Sequence, residues 1–109
     1  MKRLLFALAV PACVAILASC ETALKSAPPV IAAFVRANRQ ETADARMLEA
    51  GRRVFLNRCI ACHALPEIAR YDSTRIPRIV GWMSHRARLS SAEQDALVKY
   101  LLAVRSETP

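Results

Sequence analysis

Gly51-Arg52-Arg53-Val54-Phe55-Leu56-Asn57-Arg58-Cys59-Ile60-Ala61-Cys62-His63 joins an apolar helical stripe to two thiols and an imidazole. Cys59 and Cys62, three positions apart and followed at once by His63, form the C-x-x-C-H attachment signature of c-type haem. The spacing follows from the chemistry. Cysteines at i and i+3 can reach the two vinyl groups of one porphyrin and form thioethers. The next residue then lies under the iron, where His63 can ligate through one ring nitrogen. The other nitrogen is expected to donate to a backbone carbonyl, which fixes ring orientation and ligand basicity. A zinc half-site and a dithiol redox pair share the C-x-x-C pattern. The zinc reading is short of ligands: the only other histidine is His85, and Cys13 and Cys20 lie in the leader region. The dithiol reading asks for a βαβ setting, and no sheet-like pattern is present.

Working outward, the spacing predicts a helix over about Ala43 to Arg58, with Thr42 as N-cap and Asp44 in the first turn. Met47, Leu48, Gly51, Val54 and Phe55 recur at helical spacing and make one apolar stripe. Glycine in mid-helix costs about 1 kcal/mol against alanine, so Gly51 is expected to meet another helix at close range; a merely tolerated glycine is the alternative. A second helix is predicted over Ser91 to Arg105. Ser90 and Glu93 fit a capping box at its start. Leu97, Tyr100, Leu101 and Val104 form its buried stripe, and Tyr100 is expected over Gly51 and near Phe55. No strand-like alternation persists anywhere, and both glycines fall inside helical stretches. The chain reads as all-α.

Gly51-Arg-Arg-Val-Phe55 leading into Cys59-Ile-Ala-Cys62-His63, with Leu97-x-x-Tyr100-Leu101 downstream, resembles the small, soluble class I cytochromes c. The likeness covers about residues 43–105. It implies a small cytochrome c fold, with N- and C-terminal helices crossing around one covalently bound haem c. It further implies a low-spin iron with His and Met axial ligands that carries single electrons and is not an enzyme.

A sixth ligand must then come from the rest of the chain. Met1 leaves with the leader and Met47 sits in the core stripe, which leaves Met83 and His85. A helix is predicted to begin near Thr74 or Arg75, after the capping types Asp72, Ser73 and Thr74 and with Pro77 in its first turn. Ile76, Ile79, Val80 and Met83 share one face of it, while His85 lies about 200° around from Met83. Ile76 to Met83 also resembles a compact branch of single-haem cytochromes, in which the ligand methionine ends such a helix. Met83 is therefore the expected metal ligand with His63; His85 and an open distal site are the alternatives. The interval of 20 residues from His63 to Met83 is short, and the missing middle loop would leave one haem edge more exposed.

The N-terminus reads as an export signal: Met1-Lys2-Arg3, then an apolar run from Leu4 to Leu17 broken by Pro11, too short to span a bilayer comfortably. Leu17-Ala18-Ser19-Cys20 resembles a bacterial lipobox, which makes Cys20 the expected lipid anchor. The alternative is ordinary cleavage near Ala18-Ser19, with Cys20 left as a spare thiol. The expected organisation is a lipoprotein signal peptide over 1–19, a tether over 20–40 with a short helix around Val30 to Val35, and the cytochrome c domain over 41–109. Removal of residues 1–19 takes two of the 16 basic and none of the nine acidic side chains, leaving 90 residues at +5. So small a chain buries little surface, and its folding is expected to depend on haem.

Arg58, Arg70, Arg75, Arg78, Arg86 and Arg88 cluster around the haem-binding stretch. They are candidates for pairing with haem propionates and for a docking face toward an acidic redox partner; a plain solvated surface is the alternative. Export argues against nucleic acid as the reason for the charge. The expected function is a monomeric, single-haem electron carrier in a bacterial periplasm, lipid-anchored to the inner or outer membrane. The alternatives are a haem gas sensor or peroxidase-like protein with an open distal site, and the cytochrome subunit of a larger oxidoreductase complex.

Overall fold

All regular structure is helical, without strands, among the residues that the computed structural model describes, 25–38 and 43–107. Among the described residues, four complete α-helices follow in order: α1 (Ala32–Ala37), α2 (Ala45–Val54), α3 (Ile76–Ala87) and α4 (Ser91–Glu107). The all-α expectation holds. The expected leader, Cys13, the anchor Cys20 and the expected cap Thr42 lie outside the described residues. No helix among those described is long and apolar enough to cross a membrane.

The helix expected over 43–58 is shorter and divided. Asp44, rather than Thr42, is its N-cap: the backbone there is extended, and Oδ1 accepts from the Met47 N–H at 2.8 Å. That bond satisfies one of the donors that a helix start leaves open. From Phe55 to Cys59 the chain widens into a π-helical turn. Hydrogen bonds there reach one residue further, so the side chains beyond Phe55 rotate away from the register of the α2 stripe. Asn57 Nδ2 donates to the Arg53 carbonyl at 2.7 Å across the join.

At the start of α4 the capping box forms as its sequence predicts. Ser90 Oγ accepts from the Glu93 N–H at 3.2 Å, and Glu93 Oε2 accepts from the Ser90 N–H at 2.8 Å. These bonds to Ser90 hold the Glu93 carboxyl below the usual range for a glutamate. Leu97, Tyr100, Leu101 and Val104 are all buried.

α2 makes its most extensive contact with α4, and Gly51 is where the backbones meet. A Cβ on Gly51 would strike the Ala96 carbonyl oxygen, and would lie 2.6 Å from Tyr100 Cβ and 2.7 Å from the Ala96 carbonyl carbon. Two of those three atoms are backbone and cannot swing aside. Tyr100 is fully buried beside this contact, its ring 6.3 Å from Phe55 and 6.1 Å from Phe34, both tilted. Offset and tilted rings of this kind add to the stabilisation that comes from burial alone.

The phenol needs a partner at that depth, and it donates to the Pro28 carbonyl at 2.8 Å. Burial pushes its ionisation well above the ordinary tyrosine range, so the hydroxyl stays a donor. Residues 27–38 thereby pack onto the α2–α4 face. Ala27 is fully buried, and Arg52 Nε donates to its carbonyl at 3.3 Å. Asn38, also buried, donates from Nδ2 to the Phe34 carbonyl at 2.9 Å and to Glu107 Oε1 at 3.3 Å. Ser106 Oγ donates to Asn38 Oδ1 at 2.6 Å, which ties the end of α1 to the end of α4. The short helix expected around Val30 to Val35 is thus α1, packed through Phe34.

Gly51→Ala is expected to lower stability by about 2 kcal/mol or more in thermal unfolding. The overpacking cost exceeds the ~1 kcal/mol that alanine gains in helix propensity. Equal melting temperatures would contradict the close approach. Tyr100→Phe, which keeps the ring and leaves the Pro28 carbonyl unpaired, is expected to cost about 1 kcal/mol in denaturant unfolding.

Candidate functional site

α3 is built to present one apolar face. Asp72 Oδ1 accepts from the Thr74 N–H and hydroxyl, both at 2.8 Å, and sets a 3₁₀ turn over Ser73–Arg75. Pro77 then falls in the first turn of α3, where its missing N–H costs nothing. From that start Ile76, Ile79, Val80 and Met83 line a single cleft. Its back wall is Leu97 and Leu101 of α4 with Phe55. Ile68 and Tyr71 close another side, Tyr71 being held by a 2.9 Å bond from Arg105 Nε to its carbonyl.

The free space within the cleft is about 60 Å³, below the span usual for small-molecule sites, so a large flat ligand would have to part its walls. Its surface is almost wholly apolar. Cys59 and His63 enter it from the C-x-x-C-H loop, so three of the sequence-predicted residues, Cys59, His63 and Met83, line the same cleft. Cys62 lines an adjoining recess, together with Cys59, His63, Met83, Arg58, Trp82 and Arg86. His85 lines neither and is exposed.

His63 Nδ1 lies 2.7 Å from the Ala64 carbonyl oxygen. A carbonyl only accepts, so Nδ1–H is the donor in this contact, and in the neutral tautomer that fits it Nε2 bears the lone pair. Cys59 and Cys62 are free thiols. Burial, with a smaller contribution from Cys62, raises the Cys59 thiol above its ordinary range, while Cys62 is exposed. A nitrogen lone pair and a thioether sulfur are both donors for a transition metal, and the two thiols can form carbon–sulfur bonds. Among the described residues no group of three or more His, Cys, Asp or Glu gathers to hold a metal ion.

The arginine cluster resolves into different roles. Arg58 Nη2 donates to the Ala87 and Arg88 carbonyls at the end of α3, and Arg70 pairs with Glu67 at 2.7 Å. Arg86 stacks 4.4 Å from the centre of the Trp82 ring, a cation–π contact on a tryptophan that is 62% exposed. Sequence reasoning missed Pro66, Ile68, Tyr71 and Leu89 as lining residues. The only signal for them is Leu65, Ile68 and Tyr71 at three-residue intervals in a segment too short for a regular helix. No protein-family model, curated protein or solved structure matches this chain.

Proposed function

We propose that this protein is a single-electron carrier with one covalently attached haem c, in a class I cytochrome c arrangement with α2 and α4 crossing beside it. The observation that carries this reading is the convergence of Cys59, His63 and Met83 on one apolar cleft, with His63 Nδ1 already engaged by the Ala64 carbonyl. The chemistry of the lining residues fits the group. Apolar walls suit the porphyrin face, and the adjoining recess brings Cys62 beside Cys59. A metal here would draw its remaining donors from a macrocycle.

When bound, the haem supplies a one-electron iron couple. Cys59 and Cys62 would hold the porphyrin through thioethers, and His63 Nε2 and the Met83 thioether would ligate its iron. A ligand set of one thioether and one imidazole would raise the reduction potential relative to two imidazoles. The apolar side chains exclude water and lower the local dielectric, which tunes the potential further. Met83, rather than His85, is the sixth ligand in this reading because only Met83 lines the cleft.

The same reading makes the partner an acidic redox protein, drawn to the basic face on which Arg78, Arg86 and Arg88 are exposed. Exposed Trp82 supplies apolar contact at that face. It also places the protein in a bacterial periplasm, as a monomer acylated at Cys20. The buried Ala27 lies seven positions beyond Cys20, so even a fully extended chain would hold the domain within about 25 Å of its anchor.

The matured Cys20→Ser protein is expected to give a low-spin c-type spectrum with the weak far-red band of methionine-ligated ferric haem. Met83→Ala is expected to abolish that band and lower the potential, while His85→Ala leaves both unchanged. A spectrum and potential unaltered by Met83→Ala would refute the ligand assignment. A high-spin parent that binds carbon monoxide rapidly would favour the sensing or peroxidase-like alternative. The double variant Cys59→Ser/Cys62→Ser is expected to lose cooperative thermal unfolding, because the cleft then has no covalently held core.

A further inference from the structure

The helix that carries Met83 ends in a way its sequence does not favour. Arg88 adopts φ 52°, ψ 48°, the left-handed conformation usually left to glycine because a Cβ makes it costly. The end is closed by two backbone bonds, from the Leu89 N–H to the Ser84 carbonyl at 3.0 Å and from the Arg88 N–H to the His85 carbonyl at 3.4 Å. These satisfy Ser84 and His85. The carbonyls of Ala87 and Arg88 go instead to one nitrogen of Arg58, which donates to both at 3.0 Å.

Arg58 is the residue immediately before Cys59, in the π-helical turn. Its cation sits at the negative end of the α3 dipole, and its hydrogen bonds are charge-assisted. Ala87 lies one helical turn beyond Met83, and both line the cleft. One guanidinium therefore joins the start of the C-x-x-C-H loop to the last turn of the helix bearing the methionine.

We propose that Arg58 is a positioning residue for Met83: by clamping the end of α3 to the residue before Cys59, it fixes the distance between the loop holding His63 and the thioether. The proposal rests on the haem reading above. The left-handed residue and the clamp act together. The strained turn at Arg88 presents two neighbouring carbonyls to one donor, and the donor holds the turn in place. Lysine at position 58 restores the charge but not the planar donor geometry.

The test uses the matured Cys20→Ser protein and reads two quantities, the ferric far-red band and the rate of carbon monoxide binding to the ferrous form. Arg58→Ala is expected to weaken the band and speed binding by roughly tenfold or more, the change that loss of a charged hydrogen bond carries. Arg58→Lys is expected to recover part of both, and the control Arg46→Ala, on the exposed face of α2, to change neither. Adding Arg88→Gly to Arg58→Ala relieves the left-handed strain; it is expected to raise the melting temperature without restoring the band.

An unchanged band and rate in Arg58→Ala overturn the proposal. So does full restoration by Arg88→Gly, since Arg58 would then act only through the stability of the helix end. If Arg58→Ala fails to mature, Arg58→Gln, which keeps an amide donor without charge, carries the same comparison. A parent protein lacking covalent haem or the far-red band overturns the haem reading and this proposal with it. A normal parent with an indifferent Arg58→Ala overturns this proposal alone.

Discussion

The approach of α2 to α4 at Gly51 is the contact on which the remaining structure hangs. A hydrogen in place of a side chain lets the Ala96 backbone and Tyr100 Cβ come within a distance that no other residue allows. Tyr100 then lies buried between two aromatic neighbours. On one side it meets Phe55, which also lines the cleft; on the other it meets Phe34 and bonds Pro28. The same helix pairing thus fixes the N-terminal segment outside and the back wall of the cleft inside. Leu97 and Leu101 reach the cleft because α4 is held at that spacing.

From this contact the functional side chains follow by short connections. α2 ends at Val54, the π-helical turn carries Arg58 and Cys59, and the C-x-x-C-H loop begins. The Arg58 guanidinium then reaches the end of α3, whose other end is set by the Asp72 cap. The cleft between these elements has apolar walls and few polar groups, an arrangement that leaves a small chain short of core unless something apolar fills it. In the proposed reading a haem would fill that place and so serve both as cofactor and as part of the fold.

Much of this was legible because long helices repeat their pattern. The α2 and α4 stripes, the Ser90–Glu93 box, the pairing of Gly51 with Tyr100 and the face shared by Ile76, Ile79, Val80 and Met83 all follow from a 3.6-residue period. The start of α2 was less legible, since Asp44 and Thr42 are both capping types two residues apart and only backbone geometry shows Asp44 to be the cap. The π-helical turn has no sequence signature in this stretch. The docking of Ala27, Phe34 and Asn38 is non-local, and an asparagine in the run Arg36-Ala37-Asn38-Arg39 gives no sign that it is buried. The partners of Arg58 are backbone carbonyls, which carry no residue identity. A cluster of arginines therefore read as one patch, although Arg58, Arg70 and Arg86 each have a distinct local partner.

The most direct test of the central claim is the intact mass and visible absorbance of the denatured protein, made in a host able to attach haem. Attachment through Cys59 and Cys62 predicts one species heavier than the processed chain by a single haem, with the porphyrin absorbance remaining on the protein and neither thiol open to alkylation. A species with the mass of the processed chain alone, in which Cys59 and Cys62 both take up the alkylating agent, would contradict it.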